Sequence, residues 1–263
     1  MSVRLDKALV DRGILSGRDR AVELIKTGGV TVNGNTFRKP SMPVEETDDI
    51  QLAVQDIPFV SRGGLKLAGA LDSFDISLQG VICMDIGAST GGFTDCMLQN
   101  GARKVWAVDV GHGQLAQKLC LDPRVINLEG TNIRSLTKQT VTDEIDFFSV
   151  DVSFISLWHI FPVLTKLCTE KTIGVCLVKP QFEAGPGKVG KKGVVKNPAI
   201  HREVLEKVLG DALLNGFYPL GLEVSPIQGP EGNIEFLLYL SRQNRKVAID
   251  IGKTVQKAHY SGN

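Results

Sequence analysis

The chain of 263 residues has no run of 18 apolar residues, about the length a membrane-crossing helix needs, so no transmembrane helix and no membrane partner are expected. Its opening, MSVRLDKALV, is polar where a secretory leader carries an apolar stretch, so no signal peptide is expected. Cysteine is scarce. The five residues Cys83, Cys96, Cys120, Cys168 and Cys176 are odd in number and never spaced Cys-x-x-Cys. That argues against a disulfide framework or a zinc site, and they are expected as small core residues in a reducing cytoplasm, with no metal. An excess of charge is missing too: the net charge is +1. A polyanionic partner would have to be met by local charge.

Local charge is present at the front. Up to Lys39 there are eight Lys and Arg against four acids, whereas residues 40–60 hold five acids and no base. RLDKALVDRGIL places Leu5, Ala8 and Leu9 on one helical face. GRDRAVELIKTGG repeats the pattern with Ala21, Val22, Leu24 and Ile25, and Gly28-Gly29 stops the helix. VTVNGNTF reads as a strand, an Asn33-Gly34 turn and a returning strand. Two helices and a hairpin make a small α+β unit, with basic residues that suit either a solvated face or phosphate.

The segment 80–111, GVICMDIGASTGGFTDCMLQNGARKVWAVDVG, has a short apolar strand (Val81–Met84), a glycine-rich loop, a helical stretch (Phe93–Leu98) and a second strand (Val105–Val108) ending in Asp109. This is a βαβ half of a doubly wound α/β sheet. Glycines after the first strand let backbone approach a nucleotide, and an acid after the second accepts ribose hydroxyls. The dinucleotide pattern Gly-x-Gly-x-x-Gly is absent: Gly87 is followed by Ala88 and Ser89. Asp85, read as the end of the first strand, would repel a pyrophosphate but suits a cofactor carrying an ammonium group, as S-adenosylmethionine does. A phosphate-binding loop is missing as well. GPGKVGKK fits Gly-x-x-x-x-Gly-Lys, but Lys192 stands where Ser or Thr should hold Mg²⁺. Gly193 and Asn197-Pro198 disfavour an immediate helix, so 183–198 reads as a mobile basic loop, with Lys188, Lys191, Lys192 and Lys196 turned either to RNA phosphate or simply to water.

Two acceptor chemistries lack their marks. After the fourth strand, DFFSVDVSFISL has no Asn/Asp-Pro-Pro-aromatic sequence of the kind used to methylate base amino groups, and no cysteine follows a proline as in enzymes that methylate pyrimidine C5. A ribose 2′-hydroxyl needs a base to remove its proton. A lysine does this only where desolvation or a nearby positive charge favours its neutral form. The chain offers Lys66 in SRGGLKLAGAL, Asp151 after the strand Phe147–Val150, Lys179 after the strand Ile173–Val178, and Glu235 inside the apolar strand NIEFLLYL. Singly, each has an ordinary reading: a solvated helix lysine, a turn cap, a strand-end surface lysine, a buried ion-pair partner. In a doubly wound sheet, however, Asp151 and Lys179 should converge at the carboxyl ends of the strands.

The front unit resembles the S-four-like RNA-binding module through Arg4-Leu5-Asp6 and Val30-Thr31-Val32-Asn33-Gly34, with Gly17-Arg18 standing for the usual Ser-Arg and Ser16 one place early. That resemblance implies Arg4, Arg18, Arg20 and Lys26 as phosphate contacts on structured RNA. DIGASTGGFTD is similar to the Asp-x-Gly-x-x-x-Gly-Gly-Phe motif of FtsJ-like methyltransferases, which implies a Rossmann-like fold and cofactor contacts by Asp85, Gly87, Ala88, Ser89, Thr90, Gly91, Gly92, Phe93 and Asp109. In this order Lys66, Asp151, Lys179 and Glu235 resemble the Lys-Asp-Lys-Glu tetrad of ribose 2′-O-methyltransferases. With SRGGLKL, DVSFISL, LVKPQFEAG and GNIEFLLYL added, nearly the whole chain resembles the TlyA family. The resemblance implies an RNA-binding unit with its linker over residues 1–60, the junction falling at about Asp56 to Arg62, and a methyltransferase unit over 61–263. It also implies S-adenosylmethionine as cofactor, cytidine in 16S and/or 23S ribosomal RNA as substrate, and Asn132, in EGTNIRSL, near the adenine. Two other readings remain open. In one, FISLWHIFPVL (Phe154–Leu164) is the insertion segment of a membrane-active haemolysin, although it looks like a sheet-covering helix. The other is an RNA chaperone that binds on an inactive methyltransferase fold. The oligomeric state is left open.

Overall fold

The computed structural model describes residues 2–15, 17–52, 57–190 and 192–260, without the side chains of Arg20, Glu23 and Thr27. Ser16, Asp56 and Lys191, and the side chain of Arg20, therefore lie outside the described residues. The chain divides into two compact units, 1–58 and 59–263.

In the first unit, strand β1 (Val3–Arg4) leads into helix α1 (Leu5–Asp11), followed by α2 (Arg18–Thr27), β2 (Val30–Val32), β3 (Asn35–Thr36), β4 (Pro43–Val44) and β5 (Ile50–Leu52). The apolar faces expected from the spacing close the core: Leu5, Leu9, Ala21 and Ile25 are fully buried, while Val22 is half-buried. Gly28 ends α2 in the left-handed region at φ 83°. Asn33 (φ 51°) and Gly34 (φ 79°) make the β2–β3 turn, as a two-residue hairpin requires.

The second unit opens with helix α3 (Gly63–Ser73) and then alternates: β6 (Ile82–Ile86), α4 (Gly92–Gln99), β7 (Lys104–Val108), α5 (Gln117–Cys120), β8 (Val125–Leu128), β9 (Ile145–Val150), α6 (Phe161–Leu167), β10 (Cys168–Val178) and α7 (Pro180–Glu183). It closes with α8 (Pro198–Leu214), β11 (Tyr218–Val224), β12 (Phe236–Ser241) and α9 (Ile251–Tyr260). The strands form one seven-stranded sheet in the order β8-β7-β6-β9-β10-β12-β11. β6 to β10 pair in parallel, and β12 lies antiparallel between β10 and β11. The chain runs outward from β6 to β8, then returns to lay β9 against the other side of β6. The crevice at that reversal is where such sheets hold ligands.

Phe147, Phe148, Phe161, Phe217 and Phe236 lie fully inside. The suspected insertion segment turns part of its length to this interior: Leu157, Ile160, Phe161 and Leu164 are buried along a 3₁₀ turn (Leu157–His159) and the start of α6, whereas Phe154 and Trp158 are exposed. Among the described residues, no helix is long and apolar enough to cross a membrane. Four cysteines are buried, but Cys120 is exposed, because the single turn of α5 carries it on its outer side.

Asn197-Pro198, which reads as a break, begins the 17-residue helix α8. The Asn197 side chain caps Ala199 N at 2.9 Å, and proline costs nothing at a first position whose N–H would be unpaired. On α8, the fully buried His201 has a defined tautomer. The Val195 carbonyl can only accept, so Nε2–H donates to it at 3.1 Å, and Nδ1 accepts from His259 Nε2 at 2.9 Å. Burial, helped by His259, lowers the His201 pKa from 6.5 to about 4. Below pH 6.5 the unfolded chain takes up a proton that the folded chain refuses, so stability is lost as pH falls. Relative to a His201→Gln variant, the protein should lose about 3 kcal/mol between pH 6.5 and 4. Urea midpoints at several pH values check this, and parallel curves for the two proteins would refute it.

Candidate active site

Each strand end delivers one part of the site. β6 runs into the loop 87–91, where Gly87 (φ 86°), Ser89 (φ 48°) and Gly91 (φ 94°) all take left-handed backbone. A Cβ on Gly87 would lie 2.4 Å from the Asp151 carbonyl oxygen, so glycine there lets the β6 and β9 ends close together. Gly87, Ser89 and Thr90 are turned outward, whereas Ala88, Gly91, Gly92 and Phe93 are buried behind them. At the end of β7, Asp109 accepts from Ser89 N at 2.8 Å and Gly111 N at 2.7 Å, which fixes the loop beside it. Glu129 braces the next turn by accepting from Gln114 N (2.6 Å) and Leu115 N (3.0 Å). Asn132 is exposed and caps the 3₁₀ turn Ile133–Ser135 through a bond from Arg134 N at 3.0 Å.

Asp85 departs from the sequence expectation. It is the penultimate residue of β6, not its end, and its carboxylate is wholly enclosed. Thr94 Oγ1 donates to one oxygen at 2.7 Å and Ser149 Oγ to the other at 2.9 Å. Burial pushes its pKa up to about 6 against these two bonds. Asp85 thus ties the start of α4 and the middle of β9 beneath the glycine loop, and acts on a cation above only through its field. The fit to a nucleoside-bearing cationic cofactor rests on the tight backbone cradle, the acid at the β7 end and the absence of a basic phosphate clamp on the loop itself.

Across the crevice the four expected residues form two ion pairs. Lys179 caps α7 directly after β10, with Nζ 2.6 Å from Asp151 Oδ1 and 3.1 Å from Ser153 Oγ. Lys66, 6% exposed on α3, reaches Glu235, 1% exposed, at 2.6 Å. Gln181, two residues beyond Lys179, adds a long bond to the second pair, with Nε2 at 3.4 Å from Glu235 Oε1. Glu235 lies before β12, not inside a strand. β12 is antiparallel and Phe236 pairs with Val178, so its beginning meets the carboxyl end of β10. At the rim, Phe154 is 91% exposed at φ 63° and packs on Phe182 with ring centroids 4.9 Å apart.

Residues 59–242 match the family model for FtsJ-like methyltransferases. The chain belongs to this family. In the first unit, residues 3–50 match the S4 domain model. The 16S/23S rRNA (cytidine-2'-O)-methyltransferase TlyA of Mycobacterium tuberculosis is 43% identical over 241 residues, covering 91% of this chain and 90% of that protein. Hemolysin A of Brachyspira hyodysenteriae is 42% identical over 238 residues, covering 90% of this chain and 99% of that one. A solved structure from Streptococcus thermophilus, provisionally named a hemolysin, superimposes with a TM-score of 0.78 at 42% identity, covering 98% of this chain and 96% of the other. This FtsJ-like methyltransferase is therefore fused to an S4 domain, as the sequence resemblance implied.

In the S4 domain, Arg4 and Arg18 converge on the buried Asp6. Arg4 donates to both its oxygens (2.9 and 2.8 Å) and Arg18 Nε to one at 3.1 Å. The Arg4 bond chiefly holds the Asp6 carboxyl near pH 2. Both arginines keep half their side-chain surface in water, and Lys26 is exposed. Gly17 occupies the cap of α2 without a side-chain bond.

In the methyltransferase unit, the basic segment is tethered where mobility was expected. Asn233 accepts from Val195 N at 3.0 Å and donates to the Gly193 carbonyl at 2.9 Å. Lys188 pairs with Glu203, while Lys192 and Lys196 line a cleft of about 640 Å³ with Ile200 and Glu231. Sequence reasoning missed Ser149, Ser153, Gln181, Glu129 and Glu183. Only the last had a legible signal, an acid four residues beyond Lys179 in a short helical turn.

Proposed function

We propose that this protein is an S-adenosylmethionine-dependent ribosomal RNA methyltransferase acting on a ribose 2′-hydroxyl, with cytidine as the target nucleoside. The observation that carries this reading is the gathering of Lys66, Asp151, Lys179 and Glu235 into two close ion pairs beside the glycine loop. An acid-base site of this kind suits a hydroxyl acceptor, which must lose a proton. The name of the Mycobacterium tuberculosis relative supports ribosomal RNA and cytidine. The S4 domain supports RNA as the partner, with Arg4, Arg18, Arg20 and Lys26 on one unit and Lys188, Lys191 and Lys192 on the other as phosphate contacts. A ribosomal substrate goes with action in the cytoplasm.

When bound, S-adenosylmethionine supplies a methyl group on a positively charged sulfur. The loop 87–93 and Asp109 hold its nucleoside side, with Asn132 near the base. Lys179 Nζ takes the 2′-hydroxyl proton as the oxygen attacks. Asp151 and Ser153 hold that amine in place, and Lys66 with Glu235 walls the opposite side. Only the uncharged amine can accept that proton. Mapping 2′-O-methyl marks on ribosomal RNA from cells with and without the protein tests the reading. A cytidine mark should vanish with the protein, and an unchanged map sinks it.

A further inference from the structure

We infer that Glu183 is a positioning residue for the transfer step, holding the loop that presents Asp151 and Ser153 to Lys179. The inference rests on the reading of Lys179 as the base. Residues 151–157 leave β9 and carry two of the groups that touch Lys179 Nζ. Within them Phe154 has φ 63° and is 91% exposed. A left-handed phenylalanine with little cover is strained and relaxes unless its neighbours hold it.

Its neighbours are held at both ends. At the first, Asp151 N donates to the Ile86 carbonyl at 2.9 Å, and Asp151 pairs with Lys179. At the second, Glu183 takes Ser156 and Leu157: Leu157 N donates to Oε1 and Ser156 Oγ to Oε2, each at 2.7 Å. Ser156 Oγ accepts in turn from Trp158 N at 3.2 Å, so the same hydroxyl starts the 3₁₀ turn. Glu183 itself is buried, and Lys207 of α8 supplies its counter-charge at 3.2 Å.

Lys179 and Glu183 are joined by one helical turn. Phe182 N donates to the Lys179 carbonyl at 2.9 Å and Ala184 N to the Pro180 carbonyl at 2.9 Å. Between them, Gln181 reaches Glu235 and Phe182 packs on Phe154. α7 is thus a short rack that grips the 151–157 loop at its two ends, with the reactive amine at one and the carboxylate of Glu183 at the other. All three partners donate to the carboxylate. A glutamine has one accepting oxygen: with its amide N–H toward Leu157 N that donor is left unpaired, and with it toward Ser156 Oγ the hydroxyl must reverse its bond and the counter-charge of Lys207 is lost.

The test is single-turnover methyl transfer to ribosomal RNA from cells lacking the protein, with cofactor and RNA dissociation constants measured alongside. Glu183→Gln should slow transfer by about ten- to a hundredfold, the scale of a small misplacement, while both dissociation constants stay within about threefold. Its effect should also be non-additive with Ser153→Ala, because both act on the same amine. Ser156→Ala removes only the hydroxyl link, should slow transfer to a lesser extent, and serves if Glu183→Gln does not fold. An unchanged rate in the variant that folds, additive losses, or an equal loss of cofactor affinity would overturn the inference. Lys179→Ala in the same assay separates the two readings. If that variant is dead and Glu183→Gln is fully active, only the positioning role falls. If Lys179→Ala is active, the base itself is wrongly assigned.

Discussion

Lys179→Ala is expected to slow methyl transfer by about 10²–10⁴-fold, the usual contribution of a placed general base, while cofactor affinity stays within about threefold. The separation follows from geometry. Lys179 stands at the end of β10 and touches Asp151 and Ser153, whereas the glycine loop and Asp109 stand at the ends of β6 and β7. Losing the amine leaves the loop's own bonds to Asp109 intact. Transfer of labelled methyl under single-turnover conditions, with calorimetry for the cofactor, reads both quantities. Transfer at the unsubstituted rate would remove Lys179 from the chemistry.

The second large effect concerns stability and activity together. Lys66 and Glu235 are 6% and 1% exposed and 2.6 Å apart, so removing either strands a buried charge. Lys66→Met or Glu235→Leu alone should cost about 3–5 kcal/mol of unfolding free energy. The double variant should regain most of that loss, because two apolar side chains of similar size need no partner in the same space. It should nonetheless remain inactive in methyl transfer. Gln181, which reaches Glu235 at 3.4 Å, loses only a long bond in that variant. Urea unfolding of the four proteins measures the cycle. A double variant as unstable as the singles would mean that the pair serves the fold; a stable and active one would mean that it serves neither.

The front helices were legible because their apolar spacing matched the helical period, and the turns because Gly28 and Asn33-Gly34 occupy left-handed backbone that other residues avoid. The strands β6, β7, β9 and β10 were legible as apolar runs. Lys179 was legible by position, as a charge at the end of such a run. Asp85 was misread, because an acid near a strand end looks identical in sequence whether its side chain enters the crevice or the interior. Thr94 and Ser149, which enclose it, come from α4 and β9. Glu235 was assigned to a strand interior because its neighbours are apolar, and the loop 183–198 was read as mobile because Asn233, which tethers Gly193 and Val195, is distant in sequence.

By itself the sequence determined the local elements, the glycine loop with its acids, the order Lys66, Asp151, Lys179 and Glu235, and through these the family. Those features depend on backbone preferences and residue chemistry, which act over a few positions. Only the tertiary structure decided which charges meet. The return of β9 to the side of β6 brings Asp151 beside the glycine loop. The antiparallel insertion of β12 beside β10 brings Glu235 to the site, where α3 supplies Lys66. Strand order and direction arise from packing the sheet's two faces against helices. That is a property of the whole unit, and no short stretch of the chain carries it.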